Sequence, residues 1–319
     1  MEYTAVIRTL GTGGEKYQKL LNSLHAQTLT PQKILVYIAE GYPIPKETIG
    51  IEQYIYVKKG MVAQRALPYD EVNTEYILFL DDDLYLPPDT VELMFVNLQK
   101  ERADVISPDI LPNDKRPFVS NVLFSLSGRI VGRYGDDVWG YKVMPNTGYS
   151  YNAVPKKECY QSQTNAGACF LCKKSSFMQL KFEEELWLDK MQYAIGDDQV
   201  MYFKMYCHGL KQITWYKHGI IHLDGGNNMS TEKEYSRVQN DIFFKVVFWH
   251  RFIFLPEKNT VARLYSVVFF IYTIFFILMA SVVRCNFKML NLKLSAIENA
   301  VHFCRSEEYR SIPVVVKSV

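Results

Sequence analysis

Tyr76-Ile77-Leu78-Phe79-Leu80-Asp81-Asp82-Asp83 is the stretch on which the fold turns. Five apolar residues lead directly into three carboxylates. The apolar run has strand length and no polar alternation, the pattern of a strand buried on both faces of a parallel sheet. The acids then fall where the strand leaves the sheet, and in open α/β sheets ligands bind just outside the carboxyl ends of the strands. Side chains alternate along an extended chain, which sends Asp81 and Asp83 one way and Asp82 the other. Two carboxylates on one side make a hard-oxygen site suited to Mg²⁺ or Mn²⁺. A solvated acidic turn capping the next helix is the plainer alternative, and the buried strand directly before the acids weighs against it.

Working outward, strands alternate with helices. Thr4 to Leu10 predicts a first strand, closed by Gly11-Thr12-Gly13-Gly14, which is not a G-x-G-x-x-G phosphate loop. Tyr17, Leu20, Leu21 and Leu24 follow at helical spacing. Ile34 to Ala39, ending at Glu40-Gly41, and Tyr54 to Val57, ending at Lys58-Lys59-Gly60, predict two more strands, with a helix expected through Ala63, Arg65 and Ala66. Beyond the acids, Pro87-Pro88-Asp89-Thr90 opens a helix carrying Val91, Leu93, Met94 and Leu98, and Asp104 to Ser107 predicts a fifth strand. This alternation predicts an α/β fold with a parallel, doubly wound sheet. From about Pro112 to Tyr160, Gly, Tyr, Asn and Pro dominate, as in long loops and antiparallel pieces laid over the active edge. Gly167 to Cys172 predicts another buried strand. Asp197 opens a helix with Val200, Phe203 and Cys207 on one face, which Gly209 stops. Short strands are expected at Lys211–Tyr216 and Gly219–Leu223, the latter running into Asp224-Gly225-Gly226.

The totals bound the function. With 319 residues and 48% hydrophobic content a sizeable core can form, and a net charge of +2 gives no argument for a nucleic-acid partner. Of the six cysteines only Cys169 and Cys172 form a C-x-x-C pair. A structural zinc site needs four ligands, so free buried thiols in a reducing compartment are expected instead. Met1-Glu2-Tyr3-Thr4 has no basic region ahead of an apolar stretch and is not expected to be a signal peptide.

The last quarter differs. Between Arg263 and Arg284 lie 20 residues without a charge. A helix of that length covers about 30 Å, the thickness of a bilayer core. Apolar on every face from Ser266 to Val283, it calls for lipid or a complete protein jacket. Lys258 and Arg263 precede it and Arg284, Lys288 and Lys293 follow, so the flanking charge sets no orientation and also fits a re-entrant or interfacial helix.

Three features make chemical sense together: the Asp81-Asp82-Asp83 strand end, Gly196-Asp197-Asp198 at a helix start, and His222 after a strand. Transfer of a sugar from a nucleotide diphosphate needs a cation to stabilise the leaving pyrophosphate and a base on the acceptor hydroxyl. Asp81, Asp83 and His222 suit the first task, and Asp198 or Asp197 the second. Each has an ordinary alternative: Asp197 as an N-cap, Asp198 as a first-turn acid favoured by the helix dipole, His222 as a hydrogen-bonded histidine.

The chain here resembles a family 2 glycosyltransferase of GT-A fold, over roughly residues 3 to 225. The resemblance rests on Ala5-Val6-Ile7-Arg8-Thr9; on Leu21-Asn22-Ser23-Leu24-His25-Ala26-Gln27-Thr28 with Pro31; on Gly60 with Gln64-Arg65-Ala66, where Ala66 departs from the usual Asn; on Tyr76 to Asp83 as the D-x-D strand; on Gly196-Asp197-Asp198, with Asp for the usual Glu; and on His222. It implies a Rossmann-like, mostly parallel sheet flanked by helices. The catalytic domain would cover 1–235, with a donor half over about 1–112 and an acceptor half over about 113–235. A C-terminal helical region, 236–319, would follow, with a membrane-associating helix at 264–283.

It also implies roles. Thr9, Glu40 and Gly60 would line the donor pocket, with Arg65 near the base or phosphates. Asp81 and Asp82 would serve the donor, and Asp81, Asp83 and His222 would hold Mn²⁺ or Mg²⁺. Asp198, with Asp197 beside it, would be the base of an inverting transfer. Ala39-Glu40 replaces the usual acidic pair after the second strand, and the Gln-x-x-Arg-Trp motif of processive synthases is absent, so addition of one or a few sugars is expected. The expected partners are a nucleotide-sugar donor, a UDP-sugar first, and a glycan or lipid-linked acceptor at a membrane, with the catalytic side cytoplasmic. The competing reading is a non-catalytic glycan- or nucleotide-binding relative, against which the intact acids argue. A nucleotidyltransferase would place basic residues in the loop at Gly11–Gly14, where there are none.

Overall fold

A computed structural model describes residues 1–110, 117–135, 138–191, 195–223 and 231–318. Pro112 and Asp224-Gly225-Gly226, invoked above, lie outside the described residues. The strands are β1 (Tyr3–Thr9), β2 (Lys33–Ala39), β3 (Glu52–Val57), β4 (Tyr76–Asp81), β5 (Leu84–Tyr85), β6 (Val105–Pro108), β7 (Val131–Arg133), β8 (Tyr141–Val143), β9 (Tyr149–Asn152), β10 (Cys159–Gln161), β11 (Cys169–Lys173), β12 (Gln212–Trp215) and β13 (Ile221–His222). The helices are α1 (Gly14–His25), α2 (Thr90–Lys100), α3 (Phe118–Leu126), α4 (Lys174–Met178), α5 (Asp197–Cys207), α6 (Thr231–Phe248), α7 (Thr260–Val283), α8 (Phe287–Arg305) and α9 (Glu307–Ser311).

Eight strands form one sheet in the order β10-β12-β6-β11-β4-β1-β2-β3. β4 lies inside it, and its alternate residues serve two cores. Ile77 and Phe79 join the core beneath α5 and α6, while Leu78 and Leu80 join the core beneath α1 and α2. Burial on both faces is why β4 has no polar alternation. Phe79 stacks on Phe170 of β11 at 4.5 Å between ring centroids.

The sheet is mixed rather than wholly parallel. β3-β2-β1-β4 are parallel, but β11 runs antiparallel to both neighbours, β4 and β6, and β10 antiparallel to β12. A strand buried on both faces has the same composition in either direction, so sequence alone could not set the direction of β11. The helix expected through Ala63, Arg65 and Ala66 is a single hydrogen-bonded turn, with Gln64 N–H on Gly60 O and Ala66 N–H on Val62 O. The C-x-x-C pair has a simple account: three residues apart on a strand, Cys169 and Cys172 face opposite cores. Burial pushes both thiols up.

The expected boundary at 235 falls inside α6, whose Phe244, Val247 and Phe248 share one core with Val6, Phe79 and Phe170. The tail closes the same core. Tyr309 hydrogen-bonds His250 at 2.7 Å, and Val315 is buried. Buried Glu185 takes two hydrogen bonds from Arg251 and one each from Lys204 and Trp187, and Arg251 also donates to Pro313 O.

α7 begins four residues before the expected start at 264, because the Asn259 side chain caps the N–H groups of Val261 and Ala262. With 24 residues and a mean hydropathy of 2.5 over its most apolar window, it is long and apolar enough to cross a membrane. It is not uniformly apolar, however: Ser266, Phe270, Thr273, Ile277 and Ser281 form a buried stripe against the body, which holds all three of its small hydroxyl residues beyond Arg263, while Tyr265 and Tyr272 are exposed.

Candidate active site

The C-terminal ends of β1 and β4 lie side by side, with Arg8 opposite Asp81 in register. Arg8 is the single charge within β1, and its side chain is only 9% exposed. It pairs with Asp81 at 2.5 Å and donates to Met61 O. Asp82 accepts from the Thr9 hydroxyl and approaches Gly13, where an added Cβ would lie 3.3 Å from its Oδ2. Burial, with Asp81 and Asp83 adding to it, pushes the Asp82 carboxyl up against the Thr9 hydrogen bond.

Asp83 turns elsewhere. β13 pairs with β5, setting His222 opposite Leu84 and the His222 Nε2 3.1 Å from Asp83 Oδ2. Asp83 Oδ1 is buried without a hydrogen-bond partner among the described residues. The expected pairing of Asp81 with Asp83 therefore needs correction. The chain turns after Asp81, simple strand alternation stops, and the three acids face Arg8, Thr9 and His222 respectively. The described residues contain no group of three His, Cys, Asp or Glu side chains placed to hold a metal. The donor set that fits a divalent cation is Asp83 with His222, one oxygen of the carboxylate being otherwise unsatisfied in a buried setting.

Opposite these acids, Gly196 takes φ +84° and is the N-cap of α5, the position offered above to Asp197. Asp197 and Asp198 occupy the first turn, and both meet Arg65, at 3.2 and 2.7 Å. Arg65 is 1% exposed and also donates to Gly167 O. The resemblance implies a place for it near the base or phosphates of a donor; in the structure it is held between two acids. Asp198 Oδ2 accepts from Gly167 N–H at 2.9 Å, an approach only glycine permits, since a Cβ there would lie 2.0 Å from Asp198 Oδ1. One residue on, Ala168 O takes the N–H of Asp81. Residues 167 and 168 thus link the β4 acids to the α5 acids.

The two neighbouring aspartates are driven apart. Burial first, then the charge of Asp198, pushes Asp197 up to about 7 despite Arg65. Burial also acts upward on Asp198, but the Arg65 charge and hydrogen bond and the Gly167 N–H outweigh it and hold this carboxyl below the usual range. Asp198 keeps 37% of its side chain exposed, against 7% for Asp197. The pair therefore holds one proton acceptor that is ionised at neutral pH. It lines a cavity of about 650 Å³ between β9, α5 and α6 whose walls include Asn165, Arg129 and Lys245.

Of the remaining expected residues, Thr9 is buried and its hydroxyl also accepts from Gly11 N–H. Glu40 is exposed just past β2. Gly60 faces Asp189, whose carboxylate caps the N–H groups of Val62 and Ala63 and would lie 2.3 Å from a Cβ at residue 60. Arg8, Gly167 and Asp189 were not anticipated. A lone charge inside an apolar strand was the available signal for Arg8; the other two carried none.

Residues 54–180 match the sequence profile of glycosyl transferase family 2. Among solved structures, GalNAc-T7 with UDP, GalNAc and Mn²⁺ superposes with a TM-score of 0.50 at 14% identity, covering 84% of this chain and 55% of that one. S. aureus TarS gives a TM-score of 0.48 at 13% identity, covering 86% of this chain and 44% of that one. The chain thus spans about half the length of these proteins. No curated protein matches it. The central mixed sheet flanked by helices fits a GT-A architecture, and within it the stretch from β3 to α4 is similar in sequence to family 2 glycosyl transferases.

Proposed function

We propose that this protein is an inverting glycosyltransferase. It moves a sugar from a nucleotide-diphosphate sugar, a UDP-sugar first among them, to a hydroxyl of a glycan or lipid-linked acceptor at a membrane, with the catalytic residues on the cytoplasmic side. The observation that carries the reading is the pairing of two unlike acid sites across residues 167 and 168. One is a carboxylate–histidine pair with a spare buried oxygen, and the other is an aspartate kept ionised on a cavity wall.

Asp83 and His222 would hold Mn²⁺ or Mg²⁺, which supplies charge to stabilise the departing diphosphate. Such a cation takes few protein ligands and completes its shell with phosphate oxygens and water. Arg8 fixes Asp81 at the strand end, while Asp82 holds Thr9 and the loop after β1. On the acceptor side Asp198 takes the hydroxyl proton as the acceptor oxygen bonds to the anomeric carbon; the bond from that carbon to the diphosphate oxygen breaks, and the nucleoside diphosphate leaves with the electron pair. Arg65 and Gly167 keep the carboxylate charged and aimed. Asp197, protonated below about 7, spares Arg65 from a second full negative charge.

The test is a screen of nucleotide sugars for Mn²⁺-dependent binding, followed by donor hydrolysis with and without sugar acceptors. Cation-dependent donor binding and acceptor-stimulated turnover are expected. Donor binding without turnover under any acceptor would instead support a binding protein of the same fold.

A further inference from the structure

α7 carries its polarity the wrong way round for a helix of a water-soluble body. Its buried stripe includes Ser266, Thr273 and Ser281, while Val261, Leu264, Val268, Ile271 and Phe275 on the opposite side are each more than half exposed, with the amphipathic rings of Tyr265 and Tyr272 among them. Its midpoint is attached to the body: Thr273 Oγ accepts from Asn146 at 3.0 Å, and Gly128 approaches the Thr273 methyl. Trp249 stacks flat on Phe270 at 4.5 Å. A helix held to the domain along its length cannot cross a bilayer without dragging that domain into hydrocarbon, so its apolar side suits the plane of a membrane surface. α3 packs against it and buries none of its own residues; Phe118 and Val119 are 82% and 68% exposed.

Between α3, α6, α7 and α8 lies a second cavity of about 610 Å³, with Leu123, Ile242, Phe276, Met279 and Met289 among its apolar walls. Phe124, Arg129, Val238 and Asp241 line it and also line the cavity that holds Asp198. Three cations line this second cavity: Arg129, which it shares with the first, and Arg284 and Lys293, the last also donating to Ile277 O and Ser281 Oγ. Burial, then the charges of Arg129 and Arg284, pull Lys293 below the usual lysine range. The acids at this wall are Asp241, which is paired with Lys245, and exposed Glu234. An apolar chamber lined by more cations than unpaired acids, opening beside the exposed apolar side of α7, has the chemistry of a site for an amphiphilic anion.

We infer that this second cavity binds the lipid tail of the acceptor, a phosphate-headed lipid whose phosphate meets Arg129, Arg284 and Lys293 and whose sugar reaches Asp198. The inference rests on the glycosyl-transfer reading for its last step but not for the binding itself. Lipid enters sideways from the membrane surface under α3 and α7, and the shared walls lead its head group toward the catalytic cavity.

The test uses the full chain and dodecyl phosphate as probe, with dodecanol and inorganic phosphate as the two half-ligands. Dodecyl phosphate should bind at least about tenfold more tightly than either, because both ends of the site are then filled. Arg284→Gln and the cavity-filling Ala280→Trp, both outside the catalytic cavity, should each weaken it about tenfold or more while nucleotide-sugar affinity stays as in the wild type. A photoreactive alkyl phosphate on the wild-type protein should label α7 between Phe276 and Val283; this arm needs no variant to fold. Equal affinity for dodecyl phosphate and dodecanol, unchanged binding in both variants, or labelling elsewhere would overturn the inference. Loss of nucleotide-sugar binding in the wild-type protein would count instead against the glycosyl-transfer reading, leaving the lipid site to stand on its own data.

Discussion

Asp198→Asn separates chemistry from binding at this site. The substitution removes the proton acceptor while nearly preserving shape. Loss of a positioned base costs about 10²–10⁴ in rate, or about 3–5 kcal/mol of barrier. The surroundings add two consequences. Asp198 uses one oxygen on Arg65 and the other on Gly167 N–H. An amide has one oxygen, so either Arg65 or Gly167 then faces an NH₂ group, a mismatch worth about 1–3 kcal/mol of stability. The charge of Asp198 is also the second-largest influence raising Asp197, so Asp197 should titrate well below 7 in the variant. The assay is kcat beside donor Kd, at a temperature where both proteins are folded, with the Asp197 carboxyl followed by ¹³C NMR. The expected result is a kcat lower by the factor above, a donor Kd close to wild type, and a downward-shifted Asp197. Normal turnover in Asp198→Asn together with an inactive Asp197→Asn would mean that the other carboxylate is the base. Normal turnover in both would remove the proposed mechanism.

Asp83→Ala should abolish cation-dependent donor binding and His222→Ala should weaken it, as titration calorimetry with and without Mn²⁺ would record; full metal-dependent affinity in Asp83→Ala would dismiss the site. Gly167→Ala puts a methyl where Asp198 Oδ1 now lies, so kcat should fall towards that of Asp198→Asn with donor affinity retained, and an active Gly167→Ala enzyme would show that the close approach is dispensable. Asp197 holds its proton to about 7 in the native state against 3.8 as its ordinary value. An acid raised on folding costs stability as pH rises through that window, so Asp197→Asn should gain on wild type between about pH 4 and 7, by at most about 4 kcal/mol; a pH-independent difference in urea unfolding would argue against the elevated value. Truncation at Asn259 would remove the apolar α7, but it also removes α8, Tyr309 and Val315 from the shared core and Pro313 from Arg251. The truncated chain is expected to aggregate or to lose its cooperative melt, and a well-folded monomer would show that the tail is accessory.

The sequence by itself determined the elements that depend on local pattern. β4 was legible because burial on both faces leaves an unbroken apolar run. α1, α2 and α5 were legible because their apolar residues recur at helical spacing, and α7 because twenty residues carry no charge. Composition at a strand end was enough to single out Asp81, Asp82 and Asp83, and motif order brought in Asp197, Asp198 and His222. What those side chains do was set by tertiary structure. Strand alternation assigned Asp81 and Asp83 to one side, but the turn after Asp81 and the β5–β13 pairing sent them to Arg8 and His222. Arg65 has nothing nearby in sequence to say that it closes on residues more than 130 positions away. The division of ionisation between Asp197 and Asp198 arises from a shared arginine that bonds Asp198 more closely and from the Gly167 N–H, against burial that acts on both. The direction of β11, the contact of Gly167 with Asp198 and the inverted polarity of α7 likewise depend on which surfaces meet. Periodicity records whether a residue is buried; only packing decides what it is buried against.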